Sequence, residues 1–317
     1  SPAPSACAFS VLASGRCYAA FHSRCQSEKF AEHLGAFSFG NSITHDFLAA
    51  RGSFVLLRPF LLKRVNDMTT IFWAGDSTVK QNSIATYPQT GIGQVFDRYV
   101  KRYQVQIENY AENGRSTKQF IDEGRLATIY DRIHAGDFLF VQFGHNDEKA
   151  SDPARYTDPE TDFPANLERF VNVARNKGAT PVFITPLTRY DRNAPGAQFH
   201  HDRWAESMRR TAEKLHVALI DLTAMSEKLV DEQGEAAQTT YYMNLPAGIY
   251  PHFPLGQHDN THLQPAGALV FGGLIAKGLH DLGGAYAALL CDEYAQWEKE
   301  TAQFGQIATS AAEDVEA

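Results

Sequence analysis

The feature of this chain that most constrains its fold is a regular alternation of short apolar runs with helical patterns from residue 70 onward. Five runs read as strands: TIFWA at 70–74, VQIENYA at 105–111, DFLFVQFG at 137–144, TPVFITP at 180–186 and VALIDL at 217–222. Helical patterns lie at 93–102, 117–133, 166–178 and 203–216; a further helical piece and a loop at 234–261 precede a last helix at 263–283. This alternation is typical of a parallel sheet covered by helices. The sequence therefore predicts an α/β fold, a three-layer α/β/α sandwich with a five-stranded parallel sheet.

The regions before and after this alternation read differently. Residues 1–67 show no sustained period of 2 or 3.6, and they lack the charged and apolar regions of a signal peptide. Because Met68 directly precedes the first strand, we predict that it is the natural start and that 1–67 is an atypical, non-native extension. Residues 68–290 then form one domain, and residues 291–317 form a polar, acidic tail.

Composition argues against several classes of partner. The 317 residues carry a formal net charge of −8, whereas a nucleic-acid footprint requires clustered basic residues. The apolar run at 54–62 is much shorter than the roughly 20 residues of a membrane span. The four cysteines, at 7, 17, 25 and 291, fit neither a CxxC pair nor a zinc framework. We predict no nucleic-acid, membrane or metal partner and, by default, a cytoplasmic location; the oligomeric state stays open.

Polar residues follow the predicted strands at the points where they end. These are Gly75-Asp76-Ser77 after the first, Gly114 after the second, Gly144-His145-Asn146-Asp147 after the third, and Asp259 and His262 just before the last helix. Each alone has an ordinary explanation as a turn residue or a helix cap. Because open α/β sheets bind ligands at the carboxyl ends of their strands, their joint occurrence predicts a functional site there.

Serine esterase chemistry requires these residue types. The Ser77 hydroxyl is a weak nucleophile until a base takes its proton, and histidine suits that task near neutral pH. His262 in turn needs an acceptor on its other ring nitrogen, which Asp259 supplies if both side chains project from one turn. The oxyanion that develops needs donors, for which the N–H groups of Ser77 and Gly114 and the amide of Asn146 are candidates.

The four blocks around these residues resemble the SGNH (GDSL-type) hydrolase superfamily from about residue 70 to 283. More narrowly, GDSTV, ENGRSTKQF, FVQFGHND and DNTHLQPAGA are similar to the rhamnogalacturonan acetylesterase family of carbohydrate esterases. The resemblance implies a flavodoxin-like sandwich, no metal or organic cofactor, a nucleophile at Ser77, an Asp259–His262 pair, and oxyanion donors at Ser77, Gly114 and Asn146. The lipase elbow G-x-S-x-G fits less well, because Val79 replaces its second glycine.

The loop region 238–262 bears on the substrate. It is rich in aromatic and histidine side chains, which suit sugar rings, and it lacks the aliphatic run of an acyl-chain pocket. Packing is the alternative role for such a loop. We take His145, Trp204, Tyr250 and His258 as candidate substrate contacts. The predicted protein is a serine carbohydrate esterase that deacetylates small pectic, rhamnogalacturonan-type oligosaccharides through an acetyl-enzyme. Two alternatives stay open: an SGNH lysophospholipase or thioesterase, and a catalytically inactive carbohydrate-binding relative.

Overall fold

A single five-stranded sheet organises the residues that the computed structural model describes, which are 68–190 and 202–292. Its strands are β1 (Thr69–Gly75), β2 (Val105–Asn109), β3 (Phe138–Gln142), β4 (Thr180–Ile184) and β5 (Ala218–Ile220). Their order is β2-β1-β3-β4-β5, and all four neighbouring pairs are parallel. This is the flavodoxin-like order, which opens a crevice at the carboxyl ends of β1 and β3, where the direction of winding reverses.

Helices cover both faces of this sheet. Those described are α1 (Ile92–Val95), α2 (Thr117–Asp122), α3 (Arg125–Arg132), α4 (Asp162–Asn176), α5 (Asp202–Leu215), α6 (Leu222–Gln233), α7 (Ala236–Tyr241), α8 (Pro265–Leu282) and α9 (Gly284–Ala287). Helices α1, α6, α7 and α8 contribute to the apolar core on one face, and α2 to α5 contribute to the core on the other. The predicted α/β/α sandwich with a five-stranded parallel sheet is confirmed.

The two cores follow from the period-2 alternation of side chains along a strand. In β1, Ile71 and Trp73 belong to one core, whereas Phe72 belongs to the other. In β3, Phe140 and Leu139 divide in the same way. A strand buried on both faces needs apolar residues at every position, which is why these strands read as continuous apolar runs rather than as alternating ones.

The structure differs from the sequence prediction in three elements. The helix predicted at 93–102 is only α1 followed by a 3₁₀ turn at Phe96–Arg98. The helix predicted at 117–133 is divided into α2 and α3 by Gly124, whose φ of 75° lies in the left-handed region. Helix α7 lies in the segment predicted to be a loop.

Two further predictions concern parts of the chain outside the described residues. These are the extension at 1–67 and the tail at 291–317, of which only Cys291 and Asp292 are described.

In the ranges 68–190 and 202–292, no helix is long and apolar enough to cross a membrane.

Candidate active site

Ser77 lies in a tight turn directly after β1. The buried Asp76 carboxylate holds this turn, because its Oδ1 accepts hydrogen bonds from the Thr78 backbone N–H at 2.9 Å and from the Thr78 hydroxyl at 2.8 Å. Gly75 ends the strand in a crowded position, where an added Cβ would lie 3.0 Å from the Val79 side chain. The local sequence therefore fixes the backbone that presents Ser77 at the crevice.

Asp259 and His262 lie in one turn before α8, as their spacing predicted. Asp259 Oδ1 accepts the backbone N–H groups of Thr261 at 2.8 Å and His262 at 3.0 Å, and these bonds close the turn. Asp259 Oδ2 lies 2.7 Å from His262 Nδ1, and His262 Nε2 lies 2.8 Å from Ser77 Oγ. The structure thus brings the three residues of the predicted triad into one hydrogen-bonded chain.

The electrostatics of this chain favour proton transfer from the serine. Burial raises the pKa of Asp259, but the hydrogen bond and charge of His262 outweigh it and hold the pKa well below its usual range. An ionised Asp259 accepts the Nδ1–H of His262, which leaves Nε2 as the acceptor for the Ser77 hydroxyl. The arrangement is that of a nucleophile, a general base and an orienting carboxylate.

The predicted oxyanion donors come from three segments that meet at the end of β1. The Ser77 and Gly114 N–H groups have no acceptor within the described part of the chain. Asn146 donates from Nδ2 to the Arg115 carbonyl at 3.1 Å, beside Gly114. The backbone at Gly114 has a φ of 73°, a conformation that glycine adopts without strain.

The predicted substrate contact His145 is a buried structural residue instead, which corrects the sequence interpretation. Only 3% of it is exposed, its Nε2 lies 3.1 Å from the Leu187 carbonyl oxygen, and its Nδ1 lies 3.3 Å from Asp76 Oδ2. Burial raises the pKa of Asp76, but the charge of His145 and hydrogen bonds from His145 and Thr78 outweigh burial, so the pKa lies below its usual value. Because Asp76 also holds the Thr78 N–H, the pair stabilises the turn that carries Ser77.

Trp204 is also a core residue rather than part of a cleft. It is 6% exposed, and its indole N–H donates to the Thr157 carbonyl at 3.1 Å. Its ring packs edge-on against Tyr156 at a centroid distance of 6.2 Å. The sequence predicted that this aromatic ring contacts a sugar, but packing between α5 and its neighbours buries it.

Tyr250 and His258, the other two predicted contacts, line a pocket of about 600 Å³. Because His258 directly precedes Asp259, this pocket adjoins the turn that holds His262. Its other lining residues are Gln238, Thr239, Asn244, Leu245, Pro246, Ile249, Gln257 and Gln264. Over 68–190 and 202–292, no group of three or more His, Cys, Asp or Glu residues is placed to hold a metal ion.

Two arginines that the sequence analysis did not single out connect the site segments. Arg189 donates to the Thr261 hydroxyl at 2.7 Å, to Glu148 at 2.7 Å and to the His145 carbonyl at 3.3 Å. Arg155 contacts Asn146 and Gly114. Single arginines in loop segments form no sequence pattern, so only their positions in the fold could identify them.

Asp147, the last residue of the third block, is buried beside the site. Its Oδ1 accepts hydrogen bonds from the Thr117 N–H at 3.0 Å, the Thr117 hydroxyl at 2.5 Å and the Thr157 hydroxyl at 2.9 Å. These bonds tie the start of α2 to the segment after β3. Burial raises the pKa of Asp147 to about 7, although the threonine hydrogen bonds oppose the shift.

Comparisons with known proteins agree with this architecture. The sequence profile described as the GDSL-like Lipase/Acylhydrolase family matches residues 73–269. The rhamnogalacturonan acetylesterase RhgT of Bacillus subtilis (strain 168) is 36% identical over 217 residues, which cover 67% of this chain and 90% of that protein. The probable rhamnogalacturonan acetylesterase YesY of the same organism is 39% identical over 215 residues, 67% of this chain and 93% of that protein.

A solved structure supports the fold alone. The crystal structure of YxiM from Bacillus subtilis superposes with a TM-score of 0.57 at 24% sequence identity, and the match covers 68% of this chain and 57% of that one. The family profile covers more than half of the chain, and the two acetylesterase sequences match over most of their own length. The chain therefore belongs to the GDSL-like Lipase/Acylhydrolase family, the SGNH hydrolases that its motifs resemble, and is a carboxylic ester hydrolase.

Proposed function

We propose that this protein removes O-acetyl groups from acetylated pectic, rhamnogalacturonan-type oligosaccharides through an acetyl-enzyme intermediate. The main support is the hydrogen-bonded chain from Ser77 through His262 to Asp259. Similarity to rhamnogalacturonan acetylesterases supports the choice of an acetylated pectic substrate. The cytoplasmic location stays a prediction from cysteine usage.

In this mechanism Ser77 Oγ attacks the acetyl carbonyl carbon while His262 Nε2 takes the hydroxyl proton. The bond between the acetyl carbon and the sugar oxygen then breaks, and His262 returns the proton to the departing sugar hydroxyl. Water next attacks the acetyl-serine, and its proton passes through His262 to Ser77 Oγ as acetate leaves. The ionised Asp259 stabilises the imidazolium in both halves of the reaction.

The oxyanion of each tetrahedral intermediate faces the N–H groups of Ser77 and Gly114 and the Nδ2 of Asn146. We expect removal of the Asn146 donor to cost about 10²–10³ in kcat, the usual value for one such group. Asn146→Ala is the informative variant, because its effect should fall on kcat rather than on KM.

The pocket beside the Asp259 turn supports a carbohydrate substrate. It offers the amide side chains of Asn244, Gln257 and Gln264 together with the ring of Tyr250. Polar groups that fix orientation, set in a wall of aromatic and apolar side chains, are typical of small-molecule sites, and tyrosine suits sugar rings. The volume of about 600 Å³ lies within the usual range for such sites.

The test measures acetate release from acetylated rhamnogalacturonan oligosaccharides, acetylated xylan and glucose pentaacetate. We expect release from the pectic substrate only, and a loss of at least ~10⁴-fold in kcat in Ser77→Ala. Ser83→Ala is the matched control, since Ser83 is exposed and its side chain makes no capping hydrogen bond. Equal release from all three substrates would overturn the pectic assignment. No release, with octanoyl preferred over acetyl nitrophenyl esters, would indicate an acyl-chain hydrolase.

A further inference from the structure

The guanidinium of Arg155 lies against both residues that we propose, with Ser77, to hold the oxyanion. A Cβ added to Gly114 would be 3.3 Å from Arg155 Nη2 and 3.4 Å from Cζ. Arg155 Nη1 lies 3.5 Å from Oδ1 of Asn146, the opposite end of the amide that carries the proposed donor. A permanent cation is therefore fixed at the rim of the proposed reaction centre.

The distance from this cation to the reacting ester follows from the same contacts. Asn146 Nδ2 would donate to the oxyanion, and Oδ1 of the same amide faces Arg155. The attacked carbonyl oxygen is one hydrogen bond from Nδ2, and Oδ1 lies across the amide, 3.5 Å from Arg155 Nη1. Added together, these distances put a guanidinium nitrogen within about 9 Å of that oxygen. A charged group on the same sugar ring as the acetyl ester lies within that reach.

The positive charge around Arg155 is only partly compensated. Arg155 Nε pairs with Asp152 at 3.0 Å, but the two side chains are 32% and 41% exposed, and in the described residues Nη2 has no acceptor. The pKa of Lys149 is lowered, first by burial and then by the positive charges of Arg155 and Arg189 nearby. Of these cations, Arg189 is paired with Glu148 at 2.7 Å. Three cations, Lys149, Arg155 and Arg189, thus face two paired carboxylates, Asp152 and Glu148, which leaves an excess of one positive charge here on a chain whose net charge is −8.

We infer that Arg155 binds the carboxylate of the uronic acid residue that carries the acetyl ester. This inference rests on the proposed pectic function and narrows it, since it makes the sugar acid rather than any acetylated sugar the recognised unit. Arginine pairs strongly with carboxylates, and among the described residues Nη2 of Arg155 has no acceptor of its own. Neutral acetylated sugars, such as those of xylan, gain nothing from this contact. Because the overall negative charge repels anionic oligomers, a local cation is needed to hold one in place.

The experiment compares acetylated rhamnogalacturonan oligosaccharides with the same material after methyl esterification of their carboxyl groups, which removes the charge and keeps the acetyl ester. We expect wild type to favour the free acid by at least tenfold in kcat/KM. Arg155→Met should bring that preference close to one, mainly by raising KM for the free acid, and Arg155→Lys should retain part of it. Arg210→Met is the matched control, because Arg210 forms a comparable exposed ion pair with Glu160.

A second measurement needs no variant. Galacturonate should inhibit hydrolysis of p-nitrophenyl acetate by wild type with a Ki at least tenfold below that of galactose. Equal turnover of the free acid and the methyl ester, or equal inhibition by the two sugars, would overturn the carboxylate site and leave the pectic function standing. An equal loss of activity on both substrate forms in Arg155→Met would also overturn the carboxylate site. It would mean that Arg155 only positions Asn146. Failure to deacetylate either form would overturn the pectic function and this inference with it.

Discussion

Three carboxylates near the reaction centre, two buried and one half-buried, differ in pKa because their partners differ. Asp259 and Asp76 each face a histidine, and the pKa of each is held below its usual value despite burial. Within residues 68–190 and 202–292 the hydrogen-bond partners of the Asp147 carboxylate are threonines, and burial raises its pKa to about 7. A neutral donor therefore does not offset the cost of burying a carboxylate, whereas a histidine that can carry charge does.

Asp147 should make stability depend on pH. Its folded pKa of about 7 exceeds the value of about 3.9 for an unfolded aspartate, so the unfolded chain binds fewer protons between these limits. The free energy of unfolding should fall as pH rises from ~4 to ~7, by up to about 1.4 kcal/mol per unit, and then level off. Asp147→Asn should lack this contribution. Urea unfolding of both proteins at pH 4.5, 6 and 7.5 checks it, and parallel pH profiles would contradict it.

The Asp76–His145 pair should be energetically coupled. Removing one member leaves the other buried without its partner, which typically costs about 3–5 kcal/mol. Asp76→Asn and His145→Gln should each lower the free energy of unfolding, and the double variant should lose less than their sum by at least ~1 kcal/mol. Denaturant unfolding of the four proteins measures the coupling. If the loss in the double variant equalled the sum of the two single losses, the two side chains would act independently.

Residue chemistry was predictable from sequence where a mechanism requires a fixed order of residue types. The three-residue spacing of Asp259 and His262 already implied a shared turn. Burial was not predictable, because His145 and Trp204 are of residue types that occur both in cores and in clefts. Arg155 was missed for a different reason: its contacts depend on how distant loops pack.

Among the elements, α8 contributes most directly to the site, because it begins three residues after His262. Its first turn packs closely on the end of α7. A Cβ added at Gly267 would overlap the Tyr241 carbonyl oxygen. The lack of a side chain at this one position lets the two helices approach and holds the segment between them, including the Asp259 turn.

Gly267→Ala should therefore affect both stability and turnover. Because the obstructing atom belongs to the backbone, we expect a loss of about 1–3 kcal/mol in the free energy of unfolding, the usual cost of overpacking. Displacement of the preceding turn should also lower kcat. Ala266→Ser, at the exposed neighbouring position, is the control. Thermal unfolding and p-nitrophenyl acetate hydrolysis measure the two effects; wild-type values for Gly267→Ala would show that α7 and α8 can separate freely.

The strands were predicted more accurately than the helices. A strand buried on both faces leaves an unbroken apolar run, as in β3, and that run is visible in sequence. Short helices leave a weaker signal. Helix α7 has six residues, too few for a helical period to stand out against a loop, and the break at Gly124 depends on a backbone conformation.

At the scale of the whole molecule, the sheet and the two apolar cores that the structure describes lie within residues 68–292, as does every proposed site residue. The family profile lies inside the same range. We expect a chain of residues 68–292 to fold, with kcat/KM and Tm equal to those of the 317-residue chain within error. Circular dichroism and esterase assays on the two chains check this. Lower activity in the shorter chain would assign a role to the removed segments.

The hydrogen bond between Ser77 and His262 joins positions 185 residues apart, one directly after the first strand and the other beyond the fifth. The proposed nucleophile and the proposed base therefore lie in different halves of the domain. Contacts so distant in sequence form only after the intervening chain has closed its loop. Recovery of turnover during refolding therefore reports that the first strand and the segment beyond the fifth have come together.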